Sequence, residues 1–172
     1  QQEIQAAGGR AIVCLGDIRD EVFVAHMIEQ TIAAFGRLDI LVNNASIRAD
    51  SEFLTLSLAE WKDVTSIILD GAFVCAKAAL PHMLKTGAGR IVNVGGVSAH
   101  IGAANRAHVV SAKAGLVGLT LLYLSSQNQY TTRLIFPFFK QLIPDLGWGY
   151  VQHLDSVNNS PELRKSFNAM LP

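Results

Sequence analysis

The apolar run Ile40-Leu41-Val42, followed at once by the carboxamides of Asn43 and Asn44, constrains this chain more than any other stretch. A half-exposed strand alternates apolar and polar side chains, whereas a strand covered on both faces does not. The run does not alternate, which predicts a central strand of a parallel sheet. Parallel neighbours need crossover segments, and the flanking sequence supplies them. Val22, Ala25, Ile28, Ile32 and Phe35 recur at helical spacing before the run, up to Gly36. After it, Ser57-Leu58-Ala59-Glu60 forms a capping box, in which a hydroxyl and a carboxylate satisfy the free N–H groups of a helix start. The helix it opens carries Trp61, Val64, Ile68, Phe73 and Ala76 towards Pro81 and ends near Gly87.

Residues 90–94 predict a further buried strand, followed by Gly95-Gly96. Residues 107–123 predict a second long helix, rich in small residues (Ala112, Ala114, Gly115, Gly118). Upstream, residues 1–7 read as the end of a helix stopped at Gly8-Gly9, and residues 11–15 as a short buried strand. Gly16-Asp17-Ile18-Arg19-Asp20 is the turn after that strand. Helices and strands alternating through short connections make an α/β domain with a parallel sheet. Such sheets bind ligands at the carboxyl ends of their strands, which is where Asn43 and Asn44 fall. The pattern changes after residue 124, and Pro137, inside the apolar residues 134–139, argues against an ordinary central strand there.

At 172 residues a single domain with its own core is expected. Half the residues are hydrophobic and 16% are charged, which excludes a disordered chain. Fourteen basic residues balance fourteen acidic ones, so no global field draws nucleic acid or anionic lipid. No membrane-spanning run and no leader is read from the sequence, which leads to the expectation of a cytoplasmic protein without a membrane partner. Cys14 and Cys75 show no metal-ligand spacing, and no metal is expected.

Five segments, in this order and spacing, resemble the short-chain dehydrogenase/reductase family, particularly the branch related to 3-oxoacyl-carrier-protein reductases. They are Gly16-Asp17-Ile18-Arg19-Asp20, Phe35-Gly36-Arg37-Leu38-Asp39, Val42-Asn43-Asn44-Ala45-Ser46, Gly89-Arg90-Ile91-Val92-Asn93-Val94 and Ser111-Ala112-Lys113-Ala114-Gly115-Leu116, within roughly residues 1–120. The resemblance implies a Rossmann-type doubly wound parallel sheet, NAD or NADP as cofactor and a small carbonyl or alcohol substrate. It further implies a homodimer or homotetramer joined through the two long helices. Asp17 would accept from the adenine amine with the Ile18 backbone beside it, Asn44 and Ala45 would line the ribose and nicotinamide side, and Lys113 would hold the nicotinamide ribose. In their own terms, Asp17 is also a plain turn former, and Asn43 and Asn44 are also plain sheet-end caps. The family layout places a glycine-rich phosphate cradle before such a chain, and about fifty residues of it are expected to be missing here. Residues 125–172 would be a divergent substrate lid.

Active members of that family carry a Tyr, a Lys four residues later, a Ser thirteen residues before the Tyr, and an Asn on the preceding long helix. The Tyr handles the proton beside the ammonium, and the Ser polarises the carbonyl. Counted from Lys113, these positions hold Val109, Gly96 and Ile68. Only the lysine is kept. His108 and Ser98 are the neighbouring groups able to substitute as base and hydroxyl. The resemblance therefore implies an NAD(P)-dependent short-chain oxidoreductase whose Ser and Tyr positions hold Gly96 and Val109. The alternative is a non-catalytic relative that serves as a binding or assembly subunit.

Overall fold

The computed structural model describes residues 1–87, 89–125 and 131–135. In chain order they form α1 (Gln2–Ala6), α2 (Glu21–Phe35), β1 (Ile40–Asn43), α3 (Leu58–Thr65), a π-turn (Ser66–Asp70), α4 (Gly71–Thr86), β2 (Arg90–Val94), α5 (Ser98–Ile101), α6 (Ala107–Ser125) and β3 (Thr131–Ile135). Local chemistry sets the main boundaries. The Asp20 carboxylate accepts from the Val22 and Phe23 N–H groups at 2.8 and 3.3 Å and starts α2. Gly36, at φ 81°, closes it in the left-handed conformation that a side chain would resist. Ser57 and Glu60 make the expected reciprocal cap of α3, with N–H to side-chain distances of 3.2 and 2.9 Å.

The three strands are parallel in the order β1-β2-β3. Leu41 pairs with Ile91 and Asn43 with Asn93, and these four residues share the sheet face that α2, α4 and α6 cover. Ile28, Ala76, Ala79, Met83 and Ile91 form the core against that face. Val64, Ile68, Ala72, Val109, Ala112 and Leu116 form a second core between the long helices. This is the parallel Rossmann-type α/β arrangement expected.

Several expectations need correction. β1 alternates after all: Ile40 and Val42 are 60% and 54% exposed, because the described helices all lie on the opposite face. Among the described strands it is an edge strand, not a central one. Residues 11–15 form no strand, and Leu15 is 88% exposed. An apolar run becomes a strand only beside a partner edge, and no described strand runs there. On α2 the buried stripe is Val24 and Ile28, while Val22 faces outward. The first long helix is interrupted by the π-turn. The stretch Leu58–Thr86 is long and apolar enough to cross a membrane by length and composition, contrary to the sequence reading. Its apolar positions nevertheless pack into both cores. β3 ends two residues before Pro137, and the rest of the expected lid lies outside the described residues.

Candidate active site at the carboxyl edge of the sheet

A recess of about 250 Å³ opens where β1 ends. Asn43, Asn44 and Ala45 form one wall, Ile18 and Met27 another, and Ile67 and Ile68 of the π-turn a third. Two backbone features bring these walls together. The π-turn adds a residue to the helical ladder, a device that re-aims side chains at functional sites. Gly71, directly after it, has no side chain, and Ile18 Cδ1 lies 2.5 Å from the point a Cβ would occupy. The turn carrying Asp17 and Ile18 thus seats on the start of α4 because position 71 is bare.

Asp17 sits at the surface in a three-member ion pair. Arg19 donates from Nη2 to Asp17 Oδ2 at 2.6 Å and from Nη1 to Asp63 Oδ1 on α3 at 2.7 Å. The Arg19 side chain holds the Asp17 carboxyl below the usual carboxylate range, helped by the Arg19 N–H at 2.9 Å. The pairing ties the turn to α3, and the Arg19 N–H, Nε and Nη2 groups between them engage both oxygens of Asp17.

Behind the recess runs a buried polar relay that the sequence reading missed. Asn43 Nδ2 donates to Asn93 Oδ1 at 2.8 Å, Asn93 Nδ2 donates to Thr120 Oγ1 at 2.9 Å, and the Thr120 hydroxyl donates to the Leu116 carbonyl at 2.7 Å. Asn93 and Thr120 are fully buried. The signal was present: a lone carboxamide inside the apolar Ile91-Val92-Asn93-Val94 demands a partner. Asn43 is accordingly a structural amide, while Asn44 stands exposed at the edge.

Lys113 reaches from α6 to the end of β2, where its ammonium donates to the Gly95 carbonyl at 3.2 Å. The side chain lies across Gly96. A Cβ there would stand 3.3 Å from Lys113 Cδ, 3.7 Å from its Nζ and 3.5 Å from Ser98 Oγ. Ser98 and Lys113 thus border the same space above Gly96. Burial pushes the Lys113 pKa down. Val109 packs into the core with Val64, Ile68, Ala72, Ala112 and Leu116, and Ile68 belongs both to that core and to the recess wall.

His108 is also buried, and its Nδ1 has no hydrogen-bond partner. It lies within electrostatic reach of Asp50 and Glu60, over which Arg106 closes an ion pair to Asp50. The Ser51 N–H to Asn105 carbonyl bond, at 2.7 Å, fastens the same loop to the start of α6. The structure thus brings Ile18, Asn44 and Ala45 to one recess, and Lys113 and Ser98 to the space above Gly96. It encloses His108 in the protein interior. Two of the ammonium's three donors remain available beside the strand ends, and flat apolar walls flank the exposed Asn44, which is the chemistry a dinucleotide's ribose and base require.

A short chain dehydrogenase family model matches residues 1–133. A 3-oxoacyl-[acyl-carrier-protein] reductase of Synechocystis sp. is 39% identical over 118 residues, which are 69% of this chain and 48% of that protein. A (2S)-[(R)-hydroxy(phenyl)methyl]succinyl-CoA dehydrogenase subunit BbsD of Thauera aromatica is 42% identical over 118 residues, 69% of this chain and 47% of that one. The peroxisomal multifunctional enzyme type 2 of Drosophila melanogaster is 37% identical over 137 residues, 78% of this chain and 22% of its own. The chain spans about half the length of the first two relatives.

Proposed function

The chain belongs to the short-chain dehydrogenase family, and from that premise we propose that it is an oxidoreductase chain that binds NAD or NADP and a small alcohol or ketone at the carboxyl edge of its sheet. The observation that carries this reading is the recess itself, which gathers Ile18, Asn44 and Ala45 at the end of β1. When bound, the nicotinamide would supply or accept a hydride. The chain's own residues do the holding. The Ile18 and Ile67 side chains offer apolar walls to a base. Asp17 accepts from an amine in exchange for part of its pairing with Arg19, and Asn44 and Ala45 border the sugar. The Lys113 ammonium keeps its bond to Gly95 and offers its other N–H groups to ribose hydroxyls. Ser98 is the hydroxyl placed to polarise a carbonyl oxygen beside it. His108 is buried, so it must be uncovered before it can exchange a proton with substrate. A cytoplasmic protein that associates with itself through the long helices completes the proposal.

A ligand that binds the folded state raises the melting temperature in proportion to its concentration over Kd. NADH or NADPH is therefore expected to raise the melting temperature of the full-length protein, and a flat titration with both would end the reading. A second reading, a non-catalytic binding or assembly subunit, is favoured by one observation: Ile68 and Val109 are core residues, 2% and 7% exposed. Under it, the unmodified protein binds dinucleotide but reduces no ketone, while Gly96→Ser combined with Val109→Tyr and Ile68→Asn gains turnover. Ketone reduction by the unmodified protein that His108→Ala abolishes would exclude it.

A further inference from the structure

We propose that Lys113 is an imine-forming amine, whose Nζ condenses with an aldehyde or ketone carbonyl delivered to the carboxyl end of β2. The inference goes beyond the dinucleotide reading and needs no cofactor.

Three observations carry it. First, the lysine is half-buried, yet among the described residues it has no carboxylate partner and its ammonium makes the single bond to the Gly95 carbonyl. The other described lysines, Lys62, Lys77 and Lys85, are exposed, and Lys77 is paired to Glu21 at 3.4 Å. Second, the position that would normally crowd or engage Nζ is Gly96, and the residue four before the lysine is the aliphatic Val109, so neither competes for the nitrogen. Third, the Ser98 hydroxyl and Nζ lie 3.5 and 3.7 Å from one common point above Gly96, so a carbonyl seated in that space is within reach of both an amine and a proton donor. Burial without a counter-charge also disfavours the ammonium, so more of the free amine is present than at a surface lysine.

The step balances without an outside oxidant or reductant. The ammonium releases one proton to solvent, and the nitrogen lone pair forms a C–N bond as the carbonyl π pair moves to oxygen. That oxygen takes one of the two nitrogen protons by way of solvent, giving a neutral carbinolamine. The nitrogen lone pair then forms C=N as the hydroxyl departs as water, with Ser98 donating the proton that the leaving oxygen needs. The remaining N–H proton restores the Ser98 hydroxyl. One carbonyl and one amine become one imine and one water.

The test uses the unmodified full-length protein at neutral pH with butanal and sodium cyanoborohydride, which reduces the imine to a stable secondary amine. Peptide mass mapping then follows the butyl adduct on each lysine over time. Lys113 is expected to label first, ahead of Lys62, Lys77 and Lys85. Lys113→Arg is expected to lose that fast phase and leave the slow surface phase intact. Labelling of Lys113 no faster than the surface lysines overturns the proposal. Ser98→Ala is expected to slow Lys113 alone, and an unchanged rate removes the hydroxyl from the mechanism. Because no dinucleotide is added, the result stands or falls apart from the cofactor reading.

Discussion

At the scale of single residues, the most consequential group is one that touches no substrate. Thr120 Oγ1 is the only partner among the described residues for the inner N–H of Asn93, and both side chains are fully buried. Thr120→Val keeps the shape but strands a buried amide donor, which is expected to cost about 1–3 kcal/mol. Urea denaturation reads this as a lower midpoint at unchanged slope; an unaltered midpoint would show that another group satisfies Asn93. Sequence could point to Asn93, because a carboxamide in an apolar strand must be paired. It could not point to Thr120, twenty-seven positions away, since only the packing of α6 on β2 selects it. The same limit applied to His108. Its position one residue before Val109 was visible, but its burial is a property of the folded chain. Lys113 was legible at once, whereas its bare surroundings at Gly95 and Gly96 are a property of the folded edge.

At the scale of elements, the boundaries written in local chemistry were the ones that sequence disclosed. The cap at Ser57, the stop at Gly36 and the stop at Gly87 are each governed by residues within one turn. Ser57→Ala is expected to destabilise the protein by about 1 kcal/mol through the lost cap of α3. Thermal melting monitored by circular dichroism checks it, and a variant as stable as the parent would mean that Glu60 alone satisfies the helix start. Features set by tertiary partners were not legible. The π-turn at Ser66–Asp70 arises where α3 and α4 must meet α6 and the recess together, and no local pattern announces it. Residues 11–15 have the composition of a strand, but a ladder needs a neighbour, and composition does not supply one.

At the scale of the whole molecule, charge pairing predicts an acid limb in stability. Arg106 lowers the Asp50 pKa, Ser57 lowers that of Glu60, and Arg19 lowers that of Asp17. A carboxyl lowered on folding contributes stability above its unfolded pKa, and that contribution fades as pH falls through the folded value. Stability is therefore expected to decline as pH drops below the ordinary values of 4.5 for Glu60 and 3.8 for Asp50 and Asp17. The decline is shallow, because all three groups are at the surface and screened by solvent. Urea midpoints measured across acid pH check this, and Arg106→Gln is expected to lessen the loss; an equal loss in that variant would remove the Asp50 pair from the account. The fold class was legible at this scale because helix and strand periods alternate along residues 21–125, whereas the exposure of Ile40 and Val42 depends on which face the helices choose. The contact between Asn43 and Asn93 has one more consequence. Parallel strands have no hairpin to fix their alignment, and the apolar residues of β1 and β2 would tolerate a slip. Sliding one strand by a single residue would turn one carboxamide to the other face and leave its counterpart buried without a mate. The pair thus acts as a proofreading mark for strand assembly, admitting one alignment of β1 on β2 and penalising its neighbours.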